Sequence, residues 1–253
     1  VSAVREFLKT RLPGRFVRVV REVKVSGWQH ENLLDDEAAR AVIRACLLGD
    51  GGVLVDVGAY RGEILRAAVE VAPQRRHHAF EPGPIVADLR RSFPGVNIHN
   101  CCVGAGPGEV DLHVYRAAAR NSVHRVPGED LVTTIRTPIV SLDDSIGPSE
   151  HVSVVKIDVE GGELDVLRGA TGLLGRCVPT LLFEHGSPAG GALATSVPIY
   201  ELLVELGYRV APVRGRRFGS PAEFEDVVAT GRAWNFVAAG GRRPAPEASP
   251  GSG

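Results

Sequence analysis

The chain has 253 residues, with 29 Lys and Arg against 30 Asp and Glu and a formal net charge of −1. Its charges are scattered, which excludes the concentrated basic face that grips nucleic acid or an anionic membrane. No apolar run nears the roughly 20 residues that cross a bilayer, and the basic N-terminal stretch lacks the apolar core and cleavage site of a secretory signal, so a cytoplasmic address is expected.

The length suits a single large α/β domain with a proper core. Residues 1–21 mix Arg and Lys with aliphatics at helical spacing, and Pro13-Gly14 breaks them. Residues 35–48 carry Ala38, Ala41, Val42, Ala45 and Cys46 on one helical face, with acids at the start and Gly49 at the end. We therefore expect residues 1–49 to form an N-terminal helical cap, 50–239 the α/β domain, and the Pro/Gly/Ser-rich 240–253 a disordered tail. Cys46, Cys101, Cys102 and Cys177 have no zinc spacing and read as reduced thiols.

The organising stretch is residues 52–62, GVLVDVGAYRG. A short apolar run ends in Asp56 and breaks at Gly58 and Gly62, as a buried strand does when it turns sharply into a helix whose first amides can meet a ligand. Residues 63–71 follow as that helix, 77–82 as a strand ending in Glu81, 85–93 as a helix and 96–103 as a third strand. This βαβαβ alternation implies a parallel sheet with right-handed crossovers. Residues 110–115 and 134–140 read as further strands around a loop at 117–130, where Asn121, Ser122, His124 and Arg125 are acceptor-contact candidates. Residues 152–159 form a strand running into Asp158-Val159-Glu160-Gly161-Gly162-Glu163, and apolar residues from Leu164 to Leu174 recur at helical spacing. Residues 180–183 are a buried strand ending in Glu184-His185, 200–206 a helix, 208–213 and 233–238 the last strands, and 218–230 mostly loop.

In an open α/β sheet ligands bind beyond the carboxyl ends of the strands. Asp56 with Gly58, Glu81, Asp158 with Glu160, and Glu184 with His185 all fall at such ends, so one rim is expected to collect them. A carboxylate at Glu81 can accept both ribose hydroxyls of a nucleoside cofactor. The glycine pattern is DxGxxxG rather than GxGxxG, which favours a single nucleoside with an amino-acid tail over a pyrophosphate.

The set Val55-Asp56-Val57-Gly58-Ala59, Phe80-Glu81-Pro82, Ser141-Leu142-Asp143-Asp144, Lys156-Ile157-Asp158-Val159-Glu160-Gly161-Gly162-Glu163 and Phe183-Glu184-His185 resembles the FkbM-type S-adenosylmethionine-dependent methyltransferases. The resemblance runs from about Val53 to Gly186, with departures at Tyr60-Arg61. It implies a class I methyltransferase fold, Rossmann-like, with a seven-stranded, mostly parallel sheet whose last strand is antiparallel and with helices on both faces. It further implies S-adenosylmethionine as cofactor and O-methylation of a small natural product or sugar. By position, Asp56, Gly58, Ala59, Gly62 and Asp158 would lie along the methionine portion, Glu81 at the ribose and Asn100 at the adenine.

Transfer to a hydroxyl needs alignment, exclusion of water and a proton acceptor. His185 is the preferred base because imidazole titrates near neutrality, and Asp158 is its competitor. Glu160, Glu184 and His185 are the acceptor-side residues, whereas Glu163 at a helix start most simply serves the helix dipole. Asp158, Glu160, Glu184 and His185 would also suit a divalent cation, although no metal is included in the reading. Two other classes compete: an NAD-dependent oxidoreductase, and a non-catalytic nucleoside-binding domain. Neither nucleic acid nor membrane is an expected partner, and a small hydroxylated molecule is.

Overall fold

The structure is a computed structural model that describes residues 28–116, 121–124, 128, 130–186 and 193–240. The expected helix at 1–21 and residues 241–253 of the expected tail lie outside the described residues, while Gly240, expected to open that tail, is the last residue of a strand. The elements are α1 (Trp28–Asp50), β1 (Val53–Val57), α2 (Glu63–Val71), β2 (His78–Phe80), α3 (Val86–Ser92), β3 (Asn97–His99), β4 (Cys102–Val103), β5 (Gly108–Tyr115), β6 (Leu131–Val140), α4 (Leu142–Ser145), β7 (Val152–Ile157), α5 (Glu163–Arg168), α6 (Thr171–Cys177), β8 (Thr180–Glu184), α7 (Leu193–Glu205), β9 (Tyr208–Pro212), α8 (Pro221–Ala229) and β10 (Asn235–Gly240).

Seven strands form one sheet in the order β3-β2-β1-β7-β8-β10-β9. β1 pairs in parallel with β2 and β7, and β10 runs antiparallel to both β8 and β9. This is the class I methyltransferase architecture that the sequence implies, with the strand latest in sequence reversed. β1 and β7 are buried along their whole length because helices cover both sheet faces, so both read as near-continuous apolar runs. One core packs Ile43 and Leu47 of α1 and Leu65 of α2 against Leu54 and Val154. The other packs Leu167, Leu173, Leu203 and Phe224 against Val55, Val155 and Phe183. Among the described residues no helix is long and apolar enough to cross a membrane.

Three expectations need correction. The strand at 96–103 breaks after His99: β3 stays in the main sheet, while β4 joins β5 and β6 in a second, three-stranded sheet. The apolar series from Leu164 to Leu174 is two helices, because a Cβ on Gly169 would lie 2.0 Å from the Gly104 carbonyl oxygen and the chain bends there. Residues 221–229 form a helix rather than loop. Ser220 caps it by accepting the Glu223 amide at 3.2 Å, the Glu223 carboxylate accepts the Gly219 amide at 2.8 Å, and Pro221 opens the first turn. That capping pattern was present in the sequence.

Candidate functional site: a carboxylate rim at the strand ends

A cavity of about 310 Å³ opens beyond the carboxyl ends of β1, β2, β7 and β8. Gly58, Tyr60, Glu81, Asp158, Glu160 and Glu184 line it, with apolar walls from Phe80, Cys101, Cys102, Val103 and Leu112. The second sheet contributes Leu112 from β5, and Asn121, Ser122 and Val123 of the following segment also lie along the wall. Of the residues expected at one rim, Gly58, Glu81, Asp158, Glu160 and Glu184 meet there, whereas Asp56 and His185 do not line the cavity.

The turn after β1 uses its amides internally. The Gly58 and Ala59 amides both donate to the Phe80 carbonyl, at 2.9 and 3.2 Å, and the Gly62 amide donates to Ala59 at 2.7 Å. The Tyr60 amide donates to Glu81 Oε2 at 2.8 Å. To do so Tyr60 takes φ 45°, a left-handed conformation that is uncommon for a residue with a Cβ. The exposed-amide cradle expected at this turn is thus occupied by the protein itself, which suits a ligand without phosphates.

The two glycines serve different purposes. At Gly58 (φ 80°) a Cβ would sit 1.8 Å from the Asp158 carbonyl oxygen, so its absence lets the ends of β1 and β7 close together at the cavity floor. At Gly62 (φ 76°) a Cβ would sit 2.3 Å from the Phe93 ring. Gly62 therefore packs α2 onto the core and does not line the cavity, a correction to its expected place beside the cofactor. Ala59 is likewise buried and away from the lining. Asn100 is exposed, accepts the Gly83 amide at 2.9 Å and does not line the cavity, which its neighbours Cys101 and Cys102 do.

Asp56 stands one layer behind the cavity. It is 1 % exposed, and its Oδ2 has no hydrogen-bond partner. Burial pushes its carboxyl up to about 7, with Asp158 and Glu81 adding to the rise and Lys156 opposing it. Burial similarly raises Glu81 to about 7 against the pull of the Tyr60 amide. Glu184 is raised by burial and by Asp158.

Sequence reasoning gave no role to Lys156, yet it organises this group. It faces Asp56 across the β1–β7 ladder, and its Nζ lies 3.2 Å from Asp158 Oδ2. Burial works against its ammonium, but Asp158, Glu184 and Asp56 outweigh that and hold it above the usual lysine value. The available signal was a lone lysine inside the wholly buried strand VSVVKI, a position where a cation survives only among carboxylates.

His185 does not line the cavity. It is 1 % exposed and stacks on Phe224 at 5.9 Å. Its Nδ1 lies 3.1 Å from Glu163 Oε2 and its Nε2 3.0 Å from the Ser196 hydroxyl. Alternation along the chain explains the orientation: Glu184 faces the rim, whereas His185 shares the face of Phe183, which is core. Both ring nitrogens are engaged, so the expectation of His185 as the base that meets the acceptor is corrected. Glu163 also does more than complement a dipole. Its Oε1 accepts the Gly161 amide at 2.7 Å and so holds the 159–162 turn, in which Glu160 (φ 50°) and Gly161 (φ 101°) are both left-handed. From the other side Ser122 donates to the Glu160 carbonyl at 2.8 Å, tying the second sheet to the same turn.

The seven-stranded architecture with its reversed last strand is that of the class I methyltransferases. The chain belongs to the methyltransferase FkbM domain family, whose model matches residues 56–210. Membership makes S-adenosylmethionine its cofactor, as the sequence implies. No curated protein matches the chain. Among solved structures it is similar to a methyltransferase FkbM from Methylobacillus flagellatus KT, at 16% identity and TM-score 0.47, covering 93% of this chain and 58% of that one. It is also similar to a precorrin-6y C5,15-methyltransferase from Geobacter metallireducens GS-15, at 14% identity and TM-score 0.41, covering 80% and 86%. A third is an O-methyltransferase family protein from Burkholderia thailandensis, at 12% identity and TM-score 0.38, covering 84% and 56%. The chain thus spans 58% of the Methylobacillus protein's length.

The residues present fit the cofactor. Glu81 keeps Oε1 for a ribose hydroxyl once Oε2 has taken the Tyr60 amide, Phe80, Cys101 and Cys102 offer apolar surface to a purine, and among the described residues no Lys, Arg or His of the lining calls for a phosphate.

Proposed function

We propose that the chain methylates a hydroxyl of a small, non-anionic acceptor, a natural product or a sugar, with Asp158 taking the hydroxyl proton. The observation that carries this reading is that Glu81 and Asp158 open into one cavity from the ends of β2 and β7, and that among the described residues every formally charged side chain lining the cavity is acidic. S-adenosylmethionine, when bound, supplies a methyl group made electrophilic by its sulfonium. What remains for the chain is to orient, to keep water out and to accept a proton. Glu81 orients the cofactor through its ribose. Asp158, tethered to Lys156 and only partly covered, offers a carboxylate that the acceptor can reach. Leu112 and Val123 supply apolar cover against water. The family resemblance favours oxygen as the methylated atom.

Calorimetry with S-adenosylmethionine, S-adenosylhomocysteine and NAD tests the cofactor: both sulfur compounds should bind and NAD should not. Tight NAD binding with no response to either sulfur compound would end the reading. Glu81→Ala should weaken S-adenosylmethionine roughly 10- to 100-fold through loss of charge-assisted hydrogen bonds. Feeding methyl-labelled cofactor to extracts of the source organism should then label a small hydroxyl compound.

A further inference from the structure

We propose that His99 is a positioning residue for the cofactor, held against Phe80 and Glu81 by a Glu150–His78 relay whose two rings can share one added proton but not two, so that acid loosens the ribose end of the cavity. The cofactor enters through the methyltransferase reading of the cavity, whereas the relay stands without it.

The two rings stand on neighbouring strands, His78 on β2 and His99 on β3. His78 is 5 % exposed. Glu150 Oε1, from the segment before β7, lies 3.1 Å from His78 Nε2, and His78 Nδ1 lies 3.1 Å from His99 Nε2. Asn97 Nδ2 is farther from His78 Nε2, at 3.5 Å. His99 in turn stacks on Phe80, with ring centroids 4.3 Å apart and 7° between the planes, and its carbonyl accepts the Glu81 amide at 3.1 Å. Phe80 and Glu81 both line the cavity. Among the described residues the other ionisable groups beside the pair are Arg90 of α3, which donates to the Ile98 carbonyl, and His77, whose ring is engaged by the Leu54 amide and the Ala72 carbonyl. β1 presents Val55 opposite His78.

These partners fix where the protons sit. A carboxylate at His78 Nε2 requires an N–H there, so Nδ1 is a lone pair and His99 Nε2 donates to it. One added proton is accommodated: it settles on His78 Nδ1, the imidazolium faces Glu150, and His99 accepts at Nε2 after its own proton moves to Nδ1. A second would set N–H against N–H at 3.1 Å, and the contact has to open. Burial, His78 and Arg90 all lower His99, so the folded chain resists that proton. The stability this contributes is present above the ordinary imidazole value of about 6.5 and is lost as pH falls below it. β3 has three residues and pairs only with β2 at the sheet edge, so little else holds it. Opening removes the stack from Phe80 and the acceptor from the Glu81 amide.

Protonation of Glu81, raised by burial to about 7, weakens the ribose contact over the same range, so the test compares variants and reads the pair directly. Calorimetry measures the affinity of the whole chain for S-adenosylhomocysteine at pH 8 and pH 5.5, and NMR follows exchange of the Glu81 amide, corrected for the intrinsic effect of pH. His99→Gln keeps an N–H for His78 Nδ1 but takes no further proton. Between the two pH values the parent should lose about tenfold more affinity than His99→Gln, as for one further titrating group. Its Glu81 amide should open about tenfold more often at pH 5.5, whereas in the variant opening should not change with pH. Parallel losses of affinity, or a parent amide indifferent to pH, each overturn the inference, since Glu81 alone would then sense the acid. Should His99→Gln fail to fold, Glu150→Gln serves instead: it keeps an acceptor at His78 Nε2 without the charge, so acid opening of the Glu81 amide should begin at higher pH, and an unchanged onset overturns the inference. Absence of S-adenosylhomocysteine binding at both pH values overturns the methyltransferase reading, and the amide then decides the relay by itself.

Discussion

Glu163 and Asp56 are both nearly inaccessible carboxylates close to the cavity, and the protein treats them in opposite ways. Glu163, 3 % exposed, has both oxygens occupied, one by the Gly161 amide and one by His185. Asp56, 1 % exposed, leaves Oδ2 without a partner, and its carboxyl rises to about 7. The first arrangement is a clamp: Ser196, His185, Glu163 and the Gly161 amide form a continuous series of hydrogen bonds that fixes a strained turn. The second is a reserve of charge held just behind a ligand cavity, with Lys156 as counterweight. Residue type alone says little about the role of a buried acid. The count of satisfied oxygens separates structure from poised chemistry.

The sharpest way to break this comparison is to separate the two strands that carry it. Gly58→Val would drive a side chain into the Asp158 carbonyl and force a left-handed φ on a β-branched residue. We expect a loss of about 4 kcal/mol in urea denaturation and no cofactor binding.

The two acids should next part in their pH response. A carboxyl whose folded value exceeds its unfolded one contributes stability below the unfolded value, and that stability is lost as pH rises through the folded value. For Asp56 the window runs from about 4 to about 7, on the order of 4 kcal/mol for a group so deeply buried. Asp56→Asn should remove this slope, so the variant gains on the parent in denaturant titrations as pH climbs from 4 to 8. A difference that stays constant over that range would dissolve the contrast with Glu163.

His185→Ala should cost about 3 kcal/mol, since it opens a hole beside Phe224 and strips one bond from Glu163. His185→Asn, whose amide still offers a donor, should recover part of that cost together with cofactor affinity. An unchanged melting temperature in His185→Ala would remove the clamp from the comparison. The smallest effect is expected for Ser122→Ala, about 1 kcal/mol, from losing the bond to the Glu160 carbonyl. Hydrogen exchange should show the 159–162 turn opening more often in that variant.

Much of this was written in local patterns. The strands ending in Asp56, Glu81, Asp158 and Glu184 follow from apolar runs that stop at an acid, and the parallel order follows from strands alternating with helices; both depend on neighbours in sequence. Even the helix at 221–229 was announced by Ser220, Pro221 and Glu223. What the tertiary structure alone decided was direction and pairing. A one-residue step along the chain at the end of β8 sends Glu184 to the rim and His185 into the aromatic core. The register of β1 against β7 sets Lys156 beside Asp56. The approach of Gly62 to Phe93 turns a ligand-like glycine into a packing one. These outcomes rest on contacts between residues far apart in the chain, and spacing along a single sequence carries no information about which faces will meet.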